Sequence, residues 1–153
     1  MDIENLLRLL NENNVEYVII GATAFPVHGY SRSTLDLDIF IRPTGTNAFR
    51  TLKALNEFGY DVTDISVKEL VSKKILIRQY SVETDIHPFV KGVGFDEIWV
   101  NKVAGRIGNV SAYFASLEDL ITMKRAAGRS KDQEDLKILR KIQERKREKE
   151  KGR

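Results

Sequence analysis

The chain has no cysteine, which excludes disulfide frameworks, thiolate zinc sites and a cysteine nucleophile. A cysteine-free chain suits a reducing compartment, so a cytoplasmic protein is expected. No run approaches eighteen apolar residues, so no membrane span and no membrane partner are expected. The first residues read as an amphipathic helix and lack the basic start and apolar middle of a signal peptide. Glycine is too sparse after the first apolar strand for a dinucleotide fingerprint, because Gly21 has no further glycine before Gly29. No Gly-Lys-Ser or Gly-Lys-Thr closes a loop, and a Walker A site is therefore excluded. Internal repeats are absent too.

What is present suits one folded unit, since 153 residues bury a real core and leave little room for a second. The net charge of +3 is an uneven sum. Between residues 137 and 153 nine Lys or Arg accompany three Glu, so the other 136 residues, with 16 basic and 19 acidic side chains, are mildly acidic. A basic end of this kind suits nucleic acid, an acidic partner or a solvated helix. The expected division is one domain over residues 1–142, helical from about 116, and a solvated basic helical tail over 143–153.

Asp2 precedes a helical apolar spacing of Ile3, Leu6, Leu7 and Leu10, and Asn13-Asn14 ends it. Residues 15–20 read as a buried strand and residues 22–28 as a short helix capped by Gly29. Leu35, Leu37, Ile39 and Ile41 alternate with Asp36, Asp38 and Phe40, the period of a strand with one face on the core. Phe49, Leu52, Leu55 and Phe58 mark a helix closed by Gly59, and Ser66 with Glu69 forms a capping box. Residues 75–80 and 82–89 read as strands, the second ending at Pro88 or lying at an edge. Residues 95–100 fit either a helical turn or a strand. Gly108-Asn109 reads as a hairpin turn, and helices are expected after Ser116 and after the capping sequence Ser130-Lys-Asp-Gln133. Trp99 and the phenylalanines are assigned to the core.

The chemistry is concentrated in residues 21–41, GATAFPVHGYSRSTLDLDIFI. Small residues after a buried strand let a phosphate approach the backbone, and two carboxylates on one strand face hold divalent cations against it. Gly21-Ala22, thirteen residues, then Asp36-Leu-Asp38 resembles the signature of the DNA polymerase β-like nucleotidyltransferase superfamily. The fuller pattern of Ala24, His28, Gly29, Arg32, Thr34 and Ile39 is similar to small prokaryotic nucleotidyltransferase-like proteins related to antitoxin and abortive-infection families. Asp85, within Glu83-Thr-Asp85-Ile-His87, matches the third carboxylate of those proteins. The run from Lys124 through Arg129, Lys131, Asp132 and Asp135 to Leu136 is similar to their C-terminal helical signature. Ala22 departs from the Gly or Ser usual in the wider superfamily, which removes a hydroxyl contact.

The resemblance implies an α/β (α+β) nucleotidyltransferase fold, a mixed central β-sheet flanked by helices and followed by a C-terminal helical pair. It implies an NTP donor, ATP included, and transfer of a nucleoside monophosphate to a hydroxyl of RNA, protein or a small molecule. Asp36, Asp38 and Asp85 are the expected catalytic and metal-binding carboxylates, holding two Mg²⁺ ions, with Mn²⁺ as the alternative. Gly21, Ala22 and Thr23 are expected at the triphosphate, and Arg32, Lys124 and Lys131 fit either phosphate contacts or solvated side chains. His87 fits a further ligand, an orienting neighbour or a packed histidine. The competing expectation is a weakly active or inactive nucleotide-binding, antitoxin-like partner protein that keeps the fold.

Overall fold

The computed structural model describes residues 2–31 and 36–152. α1 (Ile3–Glu12) begins at Asp2, whose carboxylate accepts the Asn5 N–H at 2.9 Å, and it buries Leu6, Leu7, Leu9 and Leu10. β1 (Tyr17–Ile20) is buried along its whole length, as its β-branched composition requires. The chain then makes two 3₁₀ turns, Ala22–Ala24 and Pro26–His28, where one short helix was expected. Pro26 has no N–H, so an α-helical ladder cannot run through it, and each turn closes on itself before Gly29 at φ 95°. β2 (Asp36–Ile41) follows, and then α2 (Gly45–Phe58), α3 (Val67–Ser72), β3 (Ile75–Ile77), β4 (Glu83–His87) and α4 (Phe95–Asn101). The hairpin of β5 (Val103–Ile107) and β6 (Val110–Phe114) leads into α5 (Leu117–Ala127), a 3₁₀ turn over Ser130–Asp132, and α6 (Gln133–Lys151).

The six strands form one mixed sheet in the order β3-β4-β2-β1-β6-β5. β1 is antiparallel to β2 and parallel to β6, while β2 is parallel to β4, and β3 and β5 are antiparallel edge strands. This is the expected mixed α+β architecture, with α5 and α6 as the C-terminal helical pair. β4 lies inside the sheet, so Pro88 marks its end and not an edge. Residues 95–100, open between helix and strand, are helical: Asp96 and Glu97 occupy the favourable first turn, and Ile98 is buried.

Other expectations are corrected. Ser130 does not cap the last helix, because residues 130–132 turn as 3₁₀ and the buried Asp132 carboxylate is taken by Lys124 and Arg129. β3 stops at Ile77, beyond which Gln79 and Tyr80 bond to the backbone of Asp61 and Gly59. Phe49 and Phe89 are 63% and 66% exposed and belong to the surface. Trp99 is half-buried, stacked on Phe95 with the Lys102 ammonium 3.9 Å from its ring centre. No helix among the described residues is long and apolar enough to cross a membrane.

His28 pins the end of the second 3₁₀ turn to the sheet, since its buried Nε2–H donates to the Ala115 carbonyl at 2.8 Å. Burial lowers its proton affinity, the Ala115 carbonyl partly opposes this, and the charge of Lys146 adds to it. The unfolded chain therefore binds a proton that the folded chain resists. The His28 contribution is intact above about pH 6.5 and is lost as the pH falls, at up to about 1.4 kcal/mol per unit. Urea unfolding of wild type and His28→Gln between pH 7 and 5 checks this: the wild type loses the more stability of the two.

Candidate active site

The site starts where β1 ends. Ile20 pairs with Asp38 across the antiparallel register, so the chain turns at Gly21 directly beside the Asp38 side chain. Gly21 has φ 73° and ψ −162°, a region essentially reserved for glycine, and a Cβ placed there meets the Asp38 carboxylate at 2.9 Å. The backbone angle thus calls for glycine, and an added Cβ would also push the Asp38 carboxylate aside. Gly21→Ala is expected to lower stability by about 1–3 kcal/mol in urea unfolding and to displace the Asp38 carboxylate.

The following turn is strapped to β2, for the Thr23 hydroxyl donates to the Asp36 carbonyl at 2.7 Å. Ala22 opens the turn, where leading N–H groups have no acceptor within the turn itself. Parallel pairing of β2 with β4 sets Asp36 opposite Glu83, Asp38 opposite Asp85, and Phe40 opposite His87. Side chains alternate along a strand, so all six lie on one face of the sheet. At the Phe40 end this face is closed by α4, whose Phe95 ring meets Phe40 edge-on at 5.2 Å and 83°. Toward Asp36, an exposed residue, it opens to solvent.

Asp38, Asp85 and His87 each offer a ligand atom, and the three atoms lie within 4.8 Å of one another. His87 Nε2 is 2.9 Å from Asp38 Oδ1. Asp36 shares the face one pleat away and stands outside this closest set. The expected carboxylates are thus neighbours in register, with His87 in the tightest group.

Two basic side chains that sequence reasoning did not assign also reach the site. Arg78 donates to Asp85 at 2.6 Å and lies 3.4 Å from Glu83, and Lys74 is 3.9 Å from Asp85. The hydrogen bond to Asp85 raises the proton affinity of Arg78, and the charges of Asp85, Glu83 and Asp36 add to this against desolvation. The available signal was alternation, because Leu76 sits opposite Asp85 on edge strand β3, and residues 74 and 78, which flank the strand, continue the same alternation.

The remaining expected phosphate contacts are dispersed. Arg32 lies outside the described residues. Lys131 is exposed on the last 3₁₀ turn. Lys124 is engaged elsewhere: its ammonium sits 3.0 Å from buried Asp132, 3.3 Å from buried Asp135 and 5.5 Å from the Phe25 ring centre. Arg129 also donates to Asp132 at 2.7 Å, and the Tyr30 hydroxyl donates to Asp135 at 3.0 Å. Since Tyr30 stacks on Phe25 at 5.2 Å, this cluster anchors the segment after Gly21 to the helical pair.

Residues 1–144 match the family described as nucleotidyltransferase of unknown function (DUF6036). No curated protein matches the chain.

Proposed function

The chain belongs to the nucleotidyltransferase family DUF6036, and from that premise we propose that the face around Gly21, Asp38 and Asp85 moves a nucleoside monophosphate from an NTP to a hydroxyl acceptor. The observation that carries this reading is the β2–β4 register, with Asp38 beside Asp85 and the Asp38 carboxylate against the backbone of Gly21. A phosphate-accommodating turn and paired carboxylates meet there, as nucleotidyl transfer requires.

The donor set fits a divalent cation. It is rich in carboxylate oxygen, and Asp85 already gathers the positive charges of Arg78 and Lys74. Asp36, Asp38 and Asp85 are the proposed ligands. When bound, Mg²⁺ or Mn²⁺ supplies stabilisation of the negative charge that develops on the attacking oxygen and the leaving pyrophosphate.

The chain's own residues supply position and proton transfer. Gly21 leaves the backbone open beside Asp38, and the leading N–H groups of residues 21–23 donate to the triphosphate. Asp85 takes the proton of the acceptor hydroxyl as its oxygen attacks the α-phosphorus. The bond from that phosphorus to the bridging oxygen breaks, and pyrophosphate leaves. Lys131, exposed on the last 3₁₀ turn, and Arg32 are the other proposed phosphate contacts. Lys124 serves the scaffold, given its engagement with Asp132 and Asp135. The acceptor is an RNA end, a protein hydroxyl or a small molecule, and the exposed basic stretch of α6 beyond Leu139 favours RNA.

The Arg78–Asp85 ion pair favours a second reading, an antitoxin-like partner protein that binds nucleotide without turning it over. Incubation with each α-labelled NTP, a divalent ion and a cell lysate separates the two. Transfer predicts labelled RNA, protein or small molecule together with pyrophosphate. Metal-dependent NTP binding without label or pyrophosphate contradicts transfer and supports the partner protein.

A further inference from the structure

We propose that His87 Nε2 is a ligand to the divalent ion held by Asp38 and Asp85, and that this nitrogen makes the site prefer a first-row transition ion to Mg²⁺. The inference rests on the transferase reading of the same face and adds the identity of its cation. The chain has two histidines, and they are used differently. His28 is buried and spends its Nε2–H on a backbone carbonyl, the behaviour of a structural histidine. His87 directs Nε2 instead to a carboxylate, Asp38 Oδ1, inside a set whose third member is Asp85.

The strand geometry makes this placement reproducible. His87 and Asp85 are two residues apart on β4 and so share a face, and the parallel register sets Asp85 opposite Asp38. Pro88 follows and ends the strand. The side chains are 15% exposed for His87, 16% for Asp85 and 27% for Asp38, so the cluster is walled in but open on one side. Partial burial strengthens the attraction of two carboxylates for a dication, and the positive neighbours of Asp85, Lys74 and Arg78 at either end of β3, are long, half-exposed side chains.

The chemistry of the ligands then selects the ion. Mg²⁺ demands near-octahedral oxygen coordination and keeps its waters, so an imidazole nitrogen gains it little. First-row transition ions accept imidazole and carboxylate together. Without an ion, Nε2–H donates to the Asp38 carboxylate. An ion at Nε2 would take the place of that hydrogen, bound through the nitrogen lone pair.

The test uses the full chain and Mn²⁺ alone, read by loss of the aqueous Mn²⁺ resonance, with Mg²⁺ as competitor. Wild type is expected to bind Mn²⁺ at least about tenfold more tightly than Mg²⁺. Spin-echo modulation from a directly bound nitrogen should be present in wild type and absent in His87→Ala. That variant, and the milder His87→Asn, should lose about tenfold or more in Mn²⁺ affinity while Mg²⁺ affinity stays within about threefold. Absent nitrogen modulation in Mn²⁺-bound wild type, or unchanged Mn²⁺ affinity in both variants, overturns the proposal. Asp38→Asn separates this failure from a wider one. If that variant loses Mn²⁺ while the His87 variants keep it, the carboxylate site stands and only the histidine ligand is wrong. If it too binds Mn²⁺ like wild type, the site reading itself falls.

Discussion

Lys124→Met will lower the stability of the fold by about 3 kcal/mol, the scale for removing one partner from a buried ion cluster. Lys124 stands between two carboxylates, Asp132 at 3.0 Å and Asp135 at 3.3 Å, and both aspartates are almost fully buried. Methionine keeps the stem that packs near Phe25 but removes the charge, leaving Arg129 to hold Asp132 and Tyr30 to hold Asp135. The pH dependence identifies the cause. Burial pushes the Asp132 carboxyl up, but its bonds to Arg129 and Lys124 and their charges together outweigh burial and hold it below the usual carboxylate value. A carboxyl with a depressed folded value contributes stability above about pH 4, and that contribution is lost as the pH falls through the folded value. The gap between wild type and variant is therefore widest near neutrality and narrows in acid. Urea unfolding at pH 7 and pH 3.5 measures it, and an equal gap at both would show that lost packing, not lost charge, is responsible.

That cluster also illustrates what sequence can convey. The Asp2, Ser66 and Ser116 caps and the terminating Gly59 and Gly128 were readable because each acts within one turn of its own position. The same holds for the alternation along β2, which put Asp36 and Asp38 on one face. Ser130 misled for a related reason: its local spacing was that of a cap, but residues 130–132 form a 3₁₀ turn whose buried Asp132 carboxylate is held by Lys124, from the preceding helix. Nothing local in the chain says that β4 lies parallel to β2, although that pairing is what sets Asp85 beside Asp38. The family signature supplied Asp85 where physical reasoning about strands alone left it a surface carboxylate. Neither source gave Arg78, because its role depends on an edge strand being antiparallel to β4, nor the His87–Asp38 contact, which spans two strands.

Asp38→Asn carries the second large effect. Asp38 is the residue at which every part of the site meets: Ile20 pairs with it, Gly21 leaves room for it, Asp85 flanks it in register, and His87 bonds to it. Asparagine has the same shape and removes only the negative charge, so the turn at Gly21 and the β2–β4 pairing remain. A site whose carboxylates would hold a dication beside the phosphoryl group would lose several kcal/mol of transition-state stabilisation with one of those charges, or about 10³-fold in rate. Folding stability is expected to hold, because the substitution relieves repulsion with Asp85 and weakens only one part-buried hydrogen bond, which the amide oxygen of the substituted side chain can still accept.

The decisive measurement is the rate of transfer of α-labelled NTP, with pyrophosphate release, by wild type and by Asp38→Asn at matched metal and protein concentration, both first shown to melt at similar temperatures. Transfer by wild type and a fall of about 10³-fold in the variant are expected. Equal rates in the two proteins would contradict the role given to Asp38.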